Sequence, residues 1–169
     1  MALACAWGLR YFRHMPKIDL EKVPISEGSR YPAPFDEACR GRKAWRLGEG
    51  AGLTQFGVNL MRLAPGAWTS QRHWHAKEDE FVYVLDGELV LVEDGGETVL
   101  HAGDSAGWPA GKRDGHHLQN RTDREATFLV VGTRDNDDHG EYSDIDMVFG
   151  SGRYSSRDGV YRHKDGTPY

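Results

Sequence analysis

The chain has 169 residues and a mass of 19.0 kDa, with 26 acidic against 21 basic side chains and a net charge of −5. That length suits one domain with extensions, able to bury a proper core, and the acidity offers no case for nucleic-acid binding. No apolar run approaches the roughly 18 residues that a membrane-spanning helix needs. Twenty-one glycines and repeated short turns favour many short strands over long helices. Cys5 and Cys39 lack metal-site spacing and read as free thiols of a reducing, cytoplasmic compartment.

Residues 1–14 carry two arginines and no acid, and precede an alternative start at Met15. They read as an upstream extension that contributes nothing to fold or site. Residues 15–42 contain Pro24, Pro32 and Pro34, which rule out a long helix. They are expected to form an extended arm over the body of the protein or over a neighbouring subunit. Arg40, Arg42, Lys43 and Arg46 follow closely; a solvated surface is the default reading of that cluster, an anion site the alternative. The body is expected over 43–134. Within residues 53–63, Phe56, Val58 and Leu60 alternate with Gln55, Gly57, Asn59 and Met61. This predicts a strand with one face in a core and the other, including Asn59 and Met61, lining a cavity.

Pro65-Gly66 then turns the chain into the stretch 66–87, GAWTSQRHWHAKEDEFVYVLDG. On a strand, Thr69, Gln71, His73 and His75 share a face, with the two histidine Cα atoms roughly 7 Å apart. Their imidazoles can converge on one ion, and Gln71 and Thr69 become candidates for the pocket wall beside it. Glu80 follows after a polar connection and opens the β-branched and aromatic run FVYVL. Two neutral nitrogens and one hard oxygen suit a divalent first-row metal. Taken alone, a pair of surface histidines beside an acidic loop is the favoured reading. Asp86-Gly87 predicts a two-residue hairpin into ELVLVE, and Asp94-Gly95-Gly96 a second turn before ETVLHAG. Such closely spaced hairpins favour a barrel or sandwich.

A second block, residues 103–120, GDSAGWPAGKRDGHHLQN, contains Gly103, Pro109, Gly111, His116 and Asn120. Together with Gly66, His73, His75, Glu80 and Gly87, these residues resemble the two signature motifs of the cupin superfamily. The chain has one extra residue between Gly66 and His73 and two between Gly111 and His116. The resemblance implies an all-β fold, the cupin double-stranded β-helix or jelly-roll barrel, with an N-terminal arm and a C-terminal tail. It also implies one divalent metal ion (Mn, Fe, Ni or Zn) held by His73, His75, Glu80 and His116. His116 keeps the family spacing to Asn120; His117 does not, and is expected to face the other way with Gln119.

Residues 126–132, ATFLVVG, are apolar on both faces and predict a central, covered strand. Residues 135–169 begin as an acidic connector with Asp135, Asp137, Asp138, Glu141, Asp144 and Asp146, and end as a polar tail. Arm and tail supply material to cover strand edges in trans, so a homodimer is expected. No separate acid, base, nucleophile or phosphate loop is legible. The functional expectation is a metal-dependent enzyme of oxygenase or isomerase type acting on a small oxygenated compound, with a non-catalytic binding or sensing module as the alternative.

Overall fold

The computed structural model describes residues 17–152, 154 and 161–169. The expectations for residues 1–14 and Cys5 lie outside the described residues. The chain forms short strands throughout, β1 (Ile25–Glu27), β2 (Arg42–Trp45), β3 (Phe56–Leu63), β4 (Glu80–Asp86), β5 (Glu88–Glu93) and β6 (Gly96–His101). They continue as β7 (Ser105–Trp108), β8 (His117–Gln119), β9 (Ala126–Thr133), β10 (Gly140–Glu141), β11 (Val148–Phe149) and β12 (Tyr161–Arg162). The single α-helical turn among the described residues, α1 (Leu47–Gly50), follows β2. Among the described residues, no helix is long and apolar enough to cross a membrane.

A six-stranded sheet in the order β1-β2-β3-β9-β4-β7 faces a three-stranded sheet in the order β6-β5-β8. The paired strands are antiparallel throughout both. This is a jelly-roll sandwich. Its core is filled from both inner faces by Leu63, Val84, Leu89, Leu91, Leu118 and Phe128, among others. As expected of residues 126–132, β9 is central, between β3 and β4.

The Asp86-Gly87 pair does not make a hairpin. β4 pairs with β7 and β9 while β5 pairs with β6 and β8, so these two residues form the corner where the chain crosses between sheets. Gly87 has φ +83°, and a Cβ there would lie 2.9 Å from Ala126 Cα. The same dipeptide that favours a tight hairpin also suits a sharp bend against a neighbouring strand. Asp94-Gly95 does close a hairpin, with Glu93 opposite Gly96.

The apolar alternation of β3 is reversed with respect to the core. Phe56, Val58 and Leu60 lie on the outer face, Phe56 being 39% exposed, whereas Met61 and Leu63 point inward. The outer face continues through Val131 and Leu129 of β9 to Phe81 and Tyr83 of β4, in register. Phe81, Tyr83 and Leu85 are each at least 40% exposed.

The arm and the tail pack on the chain's own barrel. β1 pairs with β2, extending the large sheet. The tail folds back as a three-stranded sheet, β10-β11-β12. Its Tyr142, Met147 and Phe149 are buried with Tyr31 and Phe35 of the arm in a second apolar cluster. β10 runs so close to the histidine stretch that a Cβ on Gly140 would sit 1.9 Å from Trp74 O.

A buried imidazole and carboxylate cluster

Between Leu63 and Glu80 the chain does not form a regular strand; it is held by isolated bridges, Trp68 to Gln119 and His73 to His116 and Tyr142, and by scattered backbone hydrogen bonds. Strict alternation is therefore lost. Thr69, Asn59 and Met61 border a cavity of about 350 Å³ at this end of the barrel. Gln71 does not border it: its Nε2 donates to Phe35 O at 2.8 Å and fastens the arm. The irregular backbone around Ser70 to Arg72 turns Gln71 out of the face expected from its spacing.

His73, His75 and Glu80 present ligand atoms that all lie within 4.8 Å of one another. The two Nε2 atoms are 3.1 Å apart, and His75 Nε2 is 3.6 Å from Glu80 Oε2. His116 stands outside that tightest group and joins it through Glu80, with Nε2 2.9 Å from Oε2. Its ring lies flat on Trp108, centroids 3.9 Å apart and planes within 2°.

Hydrogen bonding on the far side of each ring fixes which nitrogen carries a proton. His73 Nδ1 donates to Gln71 O at 2.9 Å, His75 Nδ1 to Asp138 Oδ2 at 2.7 Å and His116 Nδ1 to Asp114 O at 3.2 Å. A carbonyl or carboxylate oxygen only accepts, so in the neutral rings all three protons sit on Nδ1 and all three Nε2 atoms carry lone pairs. Those lone pairs meet one another and the Glu80 carboxylate with no proton between them. Such an arrangement is repulsive by itself and suits a cation, so the residues fit a divalent metal.

Titration behaviour agrees. Burial, reinforced by the neighbouring His75 and His116, holds His73 well below the ordinary imidazole value, against the pull of Glu80. For Glu80, burial pushes upward, but the close imidazoles of His116, His75 and His73 outweigh it and leave the carboxyl well below its usual range.

A second cluster, His75, Glu78 and Asp138, is entirely buried. Each of its carboxylates accepts protein donors. Asp138 takes the His75 proton on one oxygen and Lys77 N–H on the other. Glu78 accepts Asp135 N–H and the Tyr154 hydroxyl, the latter at 2.8 and 2.9 Å to its two oxygens. Asp138 is the buttress of His75, and Glu78 lies on the cavity lining. Sequence reasoning missed both acids: Asp138 is one of several in a run that reads as solvated, and Glu78 lies in a polar connection.

His117 also borders the cavity, but Nδ1 donates to Ser70 O and Nε2 accepts from Gln119 Nε2, each at 2.9 Å. Arg121 Nε fixes that amide's orientation by donating to Gln119 Oε1 at 2.8 Å. With both nitrogens engaged, His117 has no lone pair to offer the cluster. Burial lowers its pKa. Asn120 is fully buried and structural, donating to Leu63 O and Arg124 O and accepting from Thr122.

Aromatic side chains of the tail cover the cluster. Tyr142 stacks on His73 at 5.5 Å, and Phe149 meets the rings of both His73 and His75. Arg72, between the two histidine-bearing segments, latches this cover by a bidentate pair with Asp144 at 2.6 and 2.9 Å and a further contact with Asp94.

A family model described as Cupin domain matches residues 59–132. A beta-D-galactosidase of Mycobacterium tuberculosis is 40% identical over 108 residues, 63% of this chain and 87% of that protein. The crystal structure of a sugar phosphate isomerase from a cupin superfamily, from Silicibacter pomeroyi, superposes with a TM-score of 0.83 at 48% identity, covering 91% of this chain and 96% of that one. A polyketide cyclase of Streptomyces resistomycificus shares the fold, with a TM-score of 0.57 at 22% identity over 72% and 80% of the two chains.

The latch gives a pH signature. The Arg72 hydrogen bond holds the Asp144 carboxyl below its usual value, against a smaller effect of burial. Its contribution is therefore complete above the unfolded value of about 3.9 and is lost as pH falls through the lower folded value. Asp144 is largely exposed, so solvent screening limits the contribution to at most about 1 kcal/mol. Thermal melts should show Asp144→Asn less stable than wild type at pH 6 and equal to it near pH 2. A deficit that persisted at pH 2 would contradict the latch.

Proposed function

Since the chain belongs to the cupin superfamily, we propose that its imidazole cluster holds one divalent first-row metal ion and that the protein is a metal-dependent isomerase of a small sugar. The observation that carries the reading is the convergence of three Nε2 lone pairs and the Glu80 carboxylate, free of protons, beside the cavity. In this reading His73, His75, Glu80 and His116 are the ligands. A bound ion would supply Lewis-acid polarisation of the sugar's carbonyl and adjacent hydroxyl oxygens.

Support for a sugar comes from two relatives, named a sugar phosphate isomerase and a beta-D-galactosidase. The carboxylates favour isomerisation. Glycoside hydrolysis ordinarily uses two flanking carboxyl groups. Of the three glutamates lining this cavity, Glu80 belongs to the imidazole cluster and Glu49 pairs with Arg46 and Arg134. Glu78 remains, and one carboxylate suffices to take a proton from a hydroxyl-bearing carbon and return it to the neighbouring carbonyl carbon, while the hydroxyl proton passes to the former carbonyl oxygen. Substrate and product are isomers, so no co-reactant is needed. Tyr154 and Asp135 N–H orient Glu78 for that transfer, while the aromatic cover formed by Tyr142 and Phe149 limits water near the rings.

Metal-loaded protein should interconvert aldoses and ketoses in a panel of free and phosphorylated sugars. Glu78→Gln should keep its metal and lose about 100-fold or more in kcat, whereas His73→Ala/His75→Ala should lose metal by elemental analysis together with turnover. Sugar binding without turnover would point instead to a binding or sensing module. Cleavage of a nitrophenyl galactoside without isomerisation would point to hydrolysis.

The reading includes a homodimer. The outer stripe of Phe81, Tyr83 and Leu85 with Val58, Leu60, Leu129 and Val131 is an apolar sheet face of a kind that association commonly covers. Light scattering should give about twice the chain mass of 19.0 kDa, and Tyr83→Lys should return the monomer. Wild-type protein scattering as a monomer at micromolar concentration would contradict it.

A further inference from the structure

The cavity carries positive charge that the metal cluster does not explain. Arg30, Arg42, Arg46 and Arg134 all line it. Alternation along β2 and the residue after it accounts for two of the four. Arg42 and Arg46 face the cavity, while Lys43, in the same basic run, faces away and pairs with Glu27. Arg40 pairs outside the cavity with Asp36 and Glu37. The run therefore divides between solvated surface and cavity wall.

The four guanidinium groups are under-neutralised. Among the described residues only one carboxylate, Glu49, lies within ion-pair distance of any of them, and it is shared by Arg46 at 3.0 Å and Arg134 at 3.5 Å. Arg42 is held by carbonyls, donating from Nε to Gly28 O at 3.0 Å and from NH1 to Thr69 O at 2.7 Å, which fix its position and leave its charge intact. Arg30 is exposed and has no ion-pair or hydrogen-bond partner among the described residues. Arg134 lies against Gly57, where a Cβ would come within 3.4 Å of its Nε, and over the ring of Tyr154. In a protein of net charge −5, a cavity wall with this excess of guanidinium focuses potential for an anion, and planar forked donors match a phosphate well.

We propose that Arg30, Arg42, Arg46 and Arg134 form an anion subsite of this cavity, and that its substrates are phosphorylated sugars. The inference deepens the isomerase reading and rests on it for the identity of the sugar; the subsite itself requires only the arginines. The metal end takes the reacting carbons and the arginines take the phosphate, so an uncharged sugar lacks the second anchor.

The test is titration calorimetry of the full chain with inorganic phosphate and, separately, with galactose, in metal-loaded protein and after chelation. Wild type should bind phosphate in both states, more weakly as salt rises. Arg30→Gln and Arg134→Gln should each weaken phosphate binding by about 10-fold, the loss of one charge-assisted contact, and leave galactose binding unchanged. Arg30 has no partner to lose among the described residues, so its variant tests the subsite without disturbing their packing. Phosphate binding that vanished on chelation, or that neither variant altered, would overturn the subsite, as would no binding by wild type. Intact, arginine-dependent phosphate binding without any sugar turnover would leave the subsite standing and remove the isomerase.

Discussion

Three N–H groups on the outer edges of three imidazoles decide what their inner edges can do. Gln71 O, Asp114 O and the Asp138 carboxylate each accept one of them, and each acceptor is held by the fold. The Gln71 and Asp114 carbonyls lie two residues before the histidines they orient, so local chain geometry supplies them. Asp138 comes from the tail, 63 residues away, and its own position depends on Lys77 N–H and on the turn that follows β9. Without those acceptors each ring could exchange tautomers and place a proton where the lone pairs now meet.

The remainder of the structure keeps that arrangement dry and open on one side. Trp108 and Leu118 close the barrel beneath it, and Tyr142 and Phe149 cover it from the tail. Gly57 and Gly132, opposite each other on β3 and β9, lie beside the Arg134 guanidinium and the Glu80 side chain, and a Cβ at Gly132 would press on Asp79 O at 3.1 Å. The cavity thus has a donor cluster and an arginine-rich wall, with Glu78 also on its lining. These three chemical characters in one small space are the physical basis for reading it as a site for an anionic, oxygen-rich ligand.

Much of the fold was legible because strand alternation and turn residues are local signals. The two short motifs single out His73, His75, Glu80 and His116, whose side chains the structure gathers at one end of the barrel; His117, expected to face away, borders the same cavity, and what separates it from His116 is that Ser70 and Gln119 engage both its nitrogens. What failed was whatever depends on a distant partner. Asp86-Gly87 has the composition of a hairpin turn, yet the strands on either side bond to different sheets, which the dipeptide does not encode. The apolar side of β3 reads as core, but in this barrel the inner face of the strand must accommodate a cavity and a cluster, so smaller and polar residues take it. Gln71 has the spacing of a cavity residue and is turned away by an irregular backbone. Asp138 and Glu78 are indistinguishable from solvated acids until the tail folds back over the histidines.

The central claim is that His73, His75 and His116 all carry their protons on Nδ1 and offer Nε2 to a metal. Nitrogen-15 NMR of the histidine side chains, recorded on metal-free protein and again with one equivalent of Zn(II), tests it directly. The account predicts three neutral Nδ1–H tautomers in the metal-free protein near pH 8, and metal-induced shifts concentrated on the three Nε2 resonances. A proton found on Nε2 of His73 or His75, or Nε2 resonances unmoved by the metal, would contradict it.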